Sequence, residues 1–200
     1  MVYIVGLGPG HKDYIMPKAL EIMKESDIII GFKRAIDSLE FINNDKLYIS
    51  KLSDIDEVIS SEKYNSISIV ASGDPTFYGI TNYIKGKYHS KIEVIPGISS
   101  FQYLTCKLNM PWNEAYLGSL HGRKQEFLNV VRQHKLSIWL TDKENNPGVL
   151  CRILSEAEVK CKVIIGENLS YEDERINEGN PIEFLNKDYS ALSIFIVNRG

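Results

Sequence analysis

The stretch Val2-Tyr3-Ile4-Val5-Gly6-Leu7-Gly8-Pro9-Gly10 decides the fold. Its opening residues, apolar and rich in β-branched types, read as a strand buried on both faces, and the glycine-rich turn reads as that strand's carboxyl-end loop. Pro17 suits the first turn of a helix over residues 17–24. Strand, turn and helix in this order open a βαβ unit, and the rhythm continues along the first half. Strand patterns at 27–30, 47–49, 67–71 and 92–95 alternate with helical spacing over 33–41, 54–61, 76–84 and 99–108, with Asp54 and Ser99 suited to N-caps. Such a chain predicts an α/β fold with a mostly parallel sheet and helices on both faces.

The pattern changes after Asn109-Met110-Pro111-Trp112. Strands are expected at 115–118, 136–140, 163–165, 174–178 and 192–197, with helices over 123–134 and 147–156. The last strands follow one another without long helices between them, which predicts a mixed sheet with antiparallel pairs. Two domains are therefore expected, 1–110 and 111–200. With 44% hydrophobic residues in 200 the chain can build a sizeable core, and a net charge of -3, from 26 acids and 23 bases, provides no overall attraction to nucleic acid or an anionic membrane. No apolar stretch approaches the roughly 20 residues of a membrane span, so a cytoplasmic protein is expected. Cys106, Cys151 and Cys161 are odd in number and widely spaced, which argues against a disulfide framework and against a zinc site; they read as buried thiols. No metal is expected.

Ligands of an open parallel sheet collect outside the carboxyl ends of its strands. Three loops stand at such ends: Gly6-Leu7-Gly8-Pro9-Gly10-His11, Ser72-Gly73-Asp74-Pro75-Thr76 and Pro96-Gly97-Ile98-Ser99-Ser100. The first is not a dinucleotide fingerprint, because His11 holds the place of the third glycine and Gly31-Phe32 stands where a ribose-binding acid belongs. It is not a Walker loop either, since Gly10-His11-Lys12-Asp13 lacks the Lys-Ser/Thr ending, and Pro9 removes a backbone donor. The second loop has no base and contains Asp74, which suits a cationic sulfonium or a hydroxylated ligand better than a phosphate. Asp74 can equally brace its own loop. Each loop alone is ordinary turn chemistry; the joint occurrence at three strand ends points to a site.

Taken together, Gly6-Leu7-Gly8-Pro9-Gly10, Ser72-Gly73-Asp74-Pro75 and Pro96-Gly97-Ile98-Ser99-Ser100 resemble, in order, the three signatures of the tetrapyrrole methylase family. Gly31-Phe32-Lys33-Arg34, Ser119-Leu120-His121-Gly122-Arg123, Leu140-Thr141-Asp142 and Gly166-Glu167-Asn168-Leu169-Ser170 are most similar to the branch that methylates C5 of a corrin precursor. The resemblance implies a two-domain fold with an active-site cleft between the domains. It also implies S-adenosylmethionine as methyl donor, leaving as S-adenosylhomocysteine, and a small-molecule corrinoid substrate, cobalt-precorrin-7. Cofactor contacts are implied at Pro9, Ser72, Gly73, Asp74, Phe77, Ser99 and Ser100, and in the second domain at Thr141, Leu169, Ala191 and Leu192. A homodimer is implied, and with the chain stopping at Gly200, a separate protein is expected to perform C15 methylation and decarboxylation.

Transfer to a ring carbon needs no protein nucleophile, and none is visible. Gly8 and Gly10 are placed next to substrate, and Arg34, His121 and Arg123 are the candidates for its carboxylates, ahead of Lys33 and Lys124. His11 is a candidate base for the proton lost at C5, and Glu167 either caps a strand end or meets substrate. The alternatives are another family transferase (a different precorrin carbon, diphthine or ribosomal RNA), a noncatalytic protein that binds an anionic metabolite, and a nucleotide-dependent enzyme. The acidic charge speaks against an RNA substrate.

Overall fold

The computed structural model describes residues 1–88, 92–122 and 126–200. The chain divides into two compact units, Met1–Ser99 and Ser100–Gly200. In the first, strands β1 (Val2–Gly6), β2 (Ile28–Phe32), β3 (Lys46–Ile49), β4 (Ile67–Ala71) and β5 (Ile92–Ile95) form one sheet in the order β3-β2-β4-β1-β5. Every pairing is parallel. Helices α1 (Pro17–Glu25), α2 (Lys33–Asp37), α3 (Ser53–Ser60) and α4 (Thr81–Lys87) cover it.

Side chains along a strand alternate between faces, so two cores form. Val5, Ile29 and Val70 point to one face and pack with Ala19, Ile22 and Met23 of α1 and with Ala35 and Ile36 of α2. Ile4, Ile28, Ile30, Ile67 and Ile69 point to the other, with Ile55 of α3 and Ile84 of α4. β1 and β4 are neighbours whose following helices lie on opposite faces, an arrangement that brings the loops after both strands to one edge.

The second unit contains α5 (Ser100–Lys107), β6 (Tyr116–Ser119), α6 (Phe127–Gln133), β7 (Leu136–Leu140), α7 (Pro147–Glu156), β8 (Lys162–Glu167), β9 (Arg175–Gly179) and β10 (Ser193–Asn198). Its sheet has the order β6-β7-β10-β8-β9, with β6 and β7 parallel and every other pair antiparallel. This is the expected mixed sheet. Trp139 and Phe195, both fully buried, centre a core with Phe127 and Val131 of α6 and Leu150 and Leu154 of α7. α5 packs against β10 and groups with this unit, whereas the sequence pattern had continued the first half through it.

Three local expectations need correction. α4 begins at Thr81 instead of residue 76, because Asp74 captures the Thr76 amide and the Pro75 carbonyl accepts both the amide and the hydroxyl of Thr81. α2 ends at Asp37, where the Ser38 hydroxyl takes the Ala35 carbonyl. Asp54 is not an N-cap; it lies inside the first turn of α3, and its carboxylate reaches back to the amides of Ser50 (2.8 Å) and Lys51 (3.1 Å).

Candidate functional site

In the first unit the pairing of β1 with β4 runs past the strands. The Leu7 amide donates to the Ala71 carbonyl at 2.9 Å, and Gly8 and Gly73 then exchange hydrogen bonds, 2.7 Å from the Gly73 amide and 3.3 Å from the Gly8 amide. The third loop closes on this pair. A Cβ on Gly97 would stand 2.2 Å from the Gly73 oxygen and 2.9 Å from the Gly6 Cα, and one on Gly6 would stand 2.6 Å from the Gly97 nitrogen. Backbone touches backbone at all three strand ends, which only residues without a side chain permit. Asp74 locks the arrangement: one carboxylate oxygen accepts from the amide (2.7 Å) and hydroxyl of Thr76, the other from the Gly97 amide at 3.2 Å. Both oxygens are thus engaged in bracing.

The loops bring Pro9, Ser72, Gly73, Asp74 and Ser99 to one edge of the sheet. Pro9 and Ser99 are buried and Ser72 is exposed, while the Gly73 Cβ position lies 3.7 Å from the Ser99 Cα. Phe77 follows on the same loop, half-buried, its ring edge-on to Tyr78 at 4.9 Å. Tyr78 has φ 53°, unusual for an aromatic residue. No lysine or arginine occurs in Gly6–Gly10, Ser72–Gly79 or Pro96–Ser99. Hydroxyls, backbone and an aromatic ring without a cation fit a nucleoside bearing a sulfonium and fit a phosphate ester poorly. Gly8 is buried within the Gly73 pair and Gly10 half-buried beside it. His11 is exposed; its Nδ1 accepts from the Asp13 amide at 3.3 Å and caps the 3-10 turn Lys12–Tyr14. Arg34 lies on the exposed side of α2, where neighbouring Lys33 is paired with Asp37 at 2.8 Å.

In the second unit the carboxyl ends of β6, β7 and β8 and the start of β10 share an edge, a consequence of β10 running against its neighbours. The amide and hydroxyl of Thr141 both donate to the Ser193 carbonyl, at 3.3 and 2.8 Å. The Asn168 amide donates to the Leu192 carbonyl at 3.1 Å, and Ser190 bridges the same segments through its hydroxyl to the Asn168 side chain. Thr141, Leu169, Ala191 and Leu192 therefore belong to one hydrogen-bonded edge. The Leu169 side chain is buried and shares the bare face of Gly166 with Leu104 of α5, so any ligand contact from Leu169 falls to its backbone. Ser100 is half-buried at the start of α5.

Glu167 is 3% exposed and caps the strand end, accepting from Arg175 and from the Ser190 amide, each at 2.9 Å. His121 is exposed at the end of β6. Asp142 joins that loop to the one after β7 by accepting from the amides of Gly122 (2.9 Å), Glu144 (3.0 Å) and Asn145 (2.7 Å). Burial pushes the Asp142 carboxyl up, but these donors outweigh it and hold it below the usual range. Arg123 and Lys124 lie outside the described residues. The thiols are only partly as expected: Cys151 is buried, its thiol pushed by burial up to about 12, whereas Cys161 is half-buried and Cys106 exposed. Of the two roles expected for Glu167, the structure shows the strand-end cap. The bracing roles of Asp142 and Asn168 escaped the sequence reading, and the available signal was a polar residue shortly after an apolar strand.

The sequence profile of the Tetrapyrrole (Corrin/Porphyrin) Methylases matches residues 1–181. The chain belongs to the tetrapyrrole methylase family. Among relatives of this methylase, the "Probable cobalt-precorrin-7 C(5)-methyltransferase" of Methanocaldococcus jannaschii is 32% identical over 98% of the chain and 97% of its own length. The cobalt-precorrin-7 C(5)-methyltransferase of Salmonella typhimurium is 30% identical over 99% of both. The fold is shared with two solved structures. They are the precorrin-6Y methylase of Archaeoglobus fulgidus (TM-score 0.78, 23% identity, 100% of this chain and 98% of that one) and the uroporphyrin-III C-methyltransferase of Thermus thermophilus in complex with S-adenosylhomocysteine (TM-score 0.81, 18% identity, 98% and 91%). Membership makes this chain a methyltransferase with S-adenosylmethionine as donor. No helix among the described residues is long and apolar enough to cross a membrane.

Proposed function

We propose that this methylase transfers a methyl group from S-adenosylmethionine to C5 of cobalt-precorrin-7 in anaerobic cobalamin biosynthesis. One observation carries the choice of carbon. Both C5-methyltransferases align end to end, whereas the "Probable cobalt-factor III C(17)-methyltransferase" of Methanothermobacter thermautotrophicus and the cobalt-precorrin-4 C(11)-methyltransferase of Methanocaldococcus jannaschii align with only 60% and 54% of the chain.

Bound S-adenosylmethionine supplies an electrophilic methyl on a sulfonium. The residues we assign to hold it are Pro9, Ser72, Gly73, Asp74, Phe77 and Ser99 in the first unit and Ser100, Thr141, Leu169, Ala191 and Leu192 in the second. Their work is orientation. Loops locked by the Gly8–Gly73 pair and by Asp74 arrive already ordered, and holding reactants in line is worth about 7–11 kcal/mol at best. Asp74 serves through its bracing bonds and its backbone. Gly8 and Gly10 shape the space for the ring, and Arg34, His121 and Arg123 meet its carboxylates. His11, exposed after the first turn, is the candidate acceptor for the C5 proton, with water as the alternative. The reading also carries a cytoplasmic homodimer that works in sequence with a separate C15-methylating decarboxylase, and light scattering tests the dimer.

Incubation with methyl-labelled S-adenosylmethionine and cobalt-precorrin-7, followed by mass spectrometry and carbon NMR, is expected to show one new methyl at C5. A methyl on another ring carbon would overturn the C5 assignment, and absence of transfer to any corrinoid would overturn the reading as a whole.

A further inference from the structure

The turn after β8 holds Leu169 between two non-glycine residues with left-handed backbone, Asn168 at φ 47° and Ser170 at φ 70°. Asparagine adopts that conformation readily, and its side chain is tied to Asp173 at 2.6 Å. Serine has no such habit, so its conformation must be imposed from outside the turn. Glu174 imposes it: its Oε2 accepts the Ser170 amide at 2.7 Å. The same carboxylate is held in turn by α5, with the Lys107 ammonium 3.3 Å from Oε1 and the Tyr103 hydroxyl as a second donor. Leu169 meets α5 as well, through Leu104 over Gly166. The turn is thus pinned to one helix by an apolar contact and by a charged one.

We infer that Glu174 is a positioning residue, which sets the backbone of the turn at residues 168–171 and through it the affinity for the methyl donor. The inference rests on the proposed contact between Leu169 and S-adenosylmethionine. Glu174 does not itself touch the donor. Three donors converge on one half-buried carboxylate, more than a strand start on the sheet edge requires. Burial pushes the Glu174 carboxyl up, but Ser170, Tyr103 and Lys107 outweigh it, so the group is ionised at neutral pH. Tyr103 is pushed up to about 12, first by burial and then by Glu174, and so keeps its proton for the bond.

The test compares wild type, Glu174→Ala and Glu174→Gln by calorimetry with S-adenosylhomocysteine and by initial rates with cobalt-precorrin-7. The alanine variant is expected to raise Kd and the KM for S-adenosylmethionine about tenfold with kcat within about threefold, and glutamine, which keeps an acceptor for Ser170, to bind within about threefold of wild type. A purely structural role predicts a lower melting temperature at unchanged Kd, and that result would overturn the inference. Tyr103→Phe combined with Lys107→Met frees Glu174 without removing it. This pair is expected to raise Kd about threefold, and an unchanged Kd here overturns the inference even where the alanine variant does not fold. If wild type itself binds no S-adenosylhomocysteine, the proposed function falls and the inference with it.

Discussion

Gly97 has no room for a methyl group, because the atoms a Cβ would meet at 2.2 and 2.9 Å belong to the backbones of Gly73 and Gly6 and cannot rotate away. Gly97→Ala is expected to cost about 3 kcal/mol in urea unfolding through forced separation of the β1, β4 and β5 loops. Gly86, near the end of α4, is the internal control: nothing lies within 4 Å of its Cβ position. Gly86→Ala is expected to stabilise by about 0.5 kcal/mol, because alanine restricts the unfolded chain and favours helix. Gly73 is a third case, with space for a side chain but φ at 69°. Gly73→Leu should carry about 1–2 kcal/mol of backbone strain and raise the Kd for S-adenosylhomocysteine about tenfold or more, measured by calorimetry. An unchanged Kd would remove the Ser72–Asp74 loop from the site. The shared lesson at this scale is that a glycine's role depends on what faces its missing Cβ, which neighbours in sequence do not reveal.

At the scale of elements, the site edges are held by carboxylates that accept backbone amides: Asp74 between the β4 and β5 loops, Asp142 between the β6 and β7 loops, and Glu174 between α5 and the turn after β8. Asp142 and Glu174 have folded-state pKa values below their ordinary values of 3.8 and 4.5. A carboxyl lowered by folding contributes stability that is complete above its unfolded pKa and is lost as pH falls through its folded one. Urea unfolding of wild type and Glu174→Gln should therefore differ most above the ordinary glutamate value of 4.5 and converge as pH falls below it and through the lowered folded-state value, with wild type the more stable at the upper end. A gap of constant size across that range would assign the difference to packing instead. The late start of α4 has the same origin as these braces. Asp74 takes the Thr76 amide that a helix beginning there would have left free for solvent, and the Pro75 carbonyl draws Thr81 into its place.

The whole molecule combines two sheets of different logic. The all-parallel sheet of the first unit is covered on both faces, so its inner strands β1, β2 and β4 are mostly apolar, while the edge strands β3 and β5 carry Lys46 and Glu93. In the mixed sheet of the second, β8, β9 and β10 follow one another without an α-helix between them. A net charge of -3 on a chain of this family favours a small anionic substrate bound by local bases over a polyanion bound by a broad field. Offered ribosomal RNA and a corrinoid intermediate together with methyl-labelled donor, the protein is expected to label the corrinoid alone; label in the RNA would move the substrate assignment to a different branch of the family.

Val2–Gly10 was enough to read a strand and its glycine turn, Pro17 added the helix that follows, and the repetition of that pattern was enough for the α/β class and for the three loops of the first unit, because buried parallel strands and their turns are written in local composition. The order β3-β2-β4-β1-β5 was not legible, nor was the contact of Gly6, Gly73 and Gly97, which lie far apart in the chain and meet only after β4 and β5 flank β1. The amino acids alone argued against a phosphate cradle at Gly6–Gly10. Tertiary structure decided that the same turn pairs with Gly73 through Gly8, that Asp74 spends both oxygens on its neighbours, and that Glu174 holds Ser170. Hydrogen bonds between segments distant in sequence depend on strand order and register, and these are set by how whole elements pack rather than by any local run of residues.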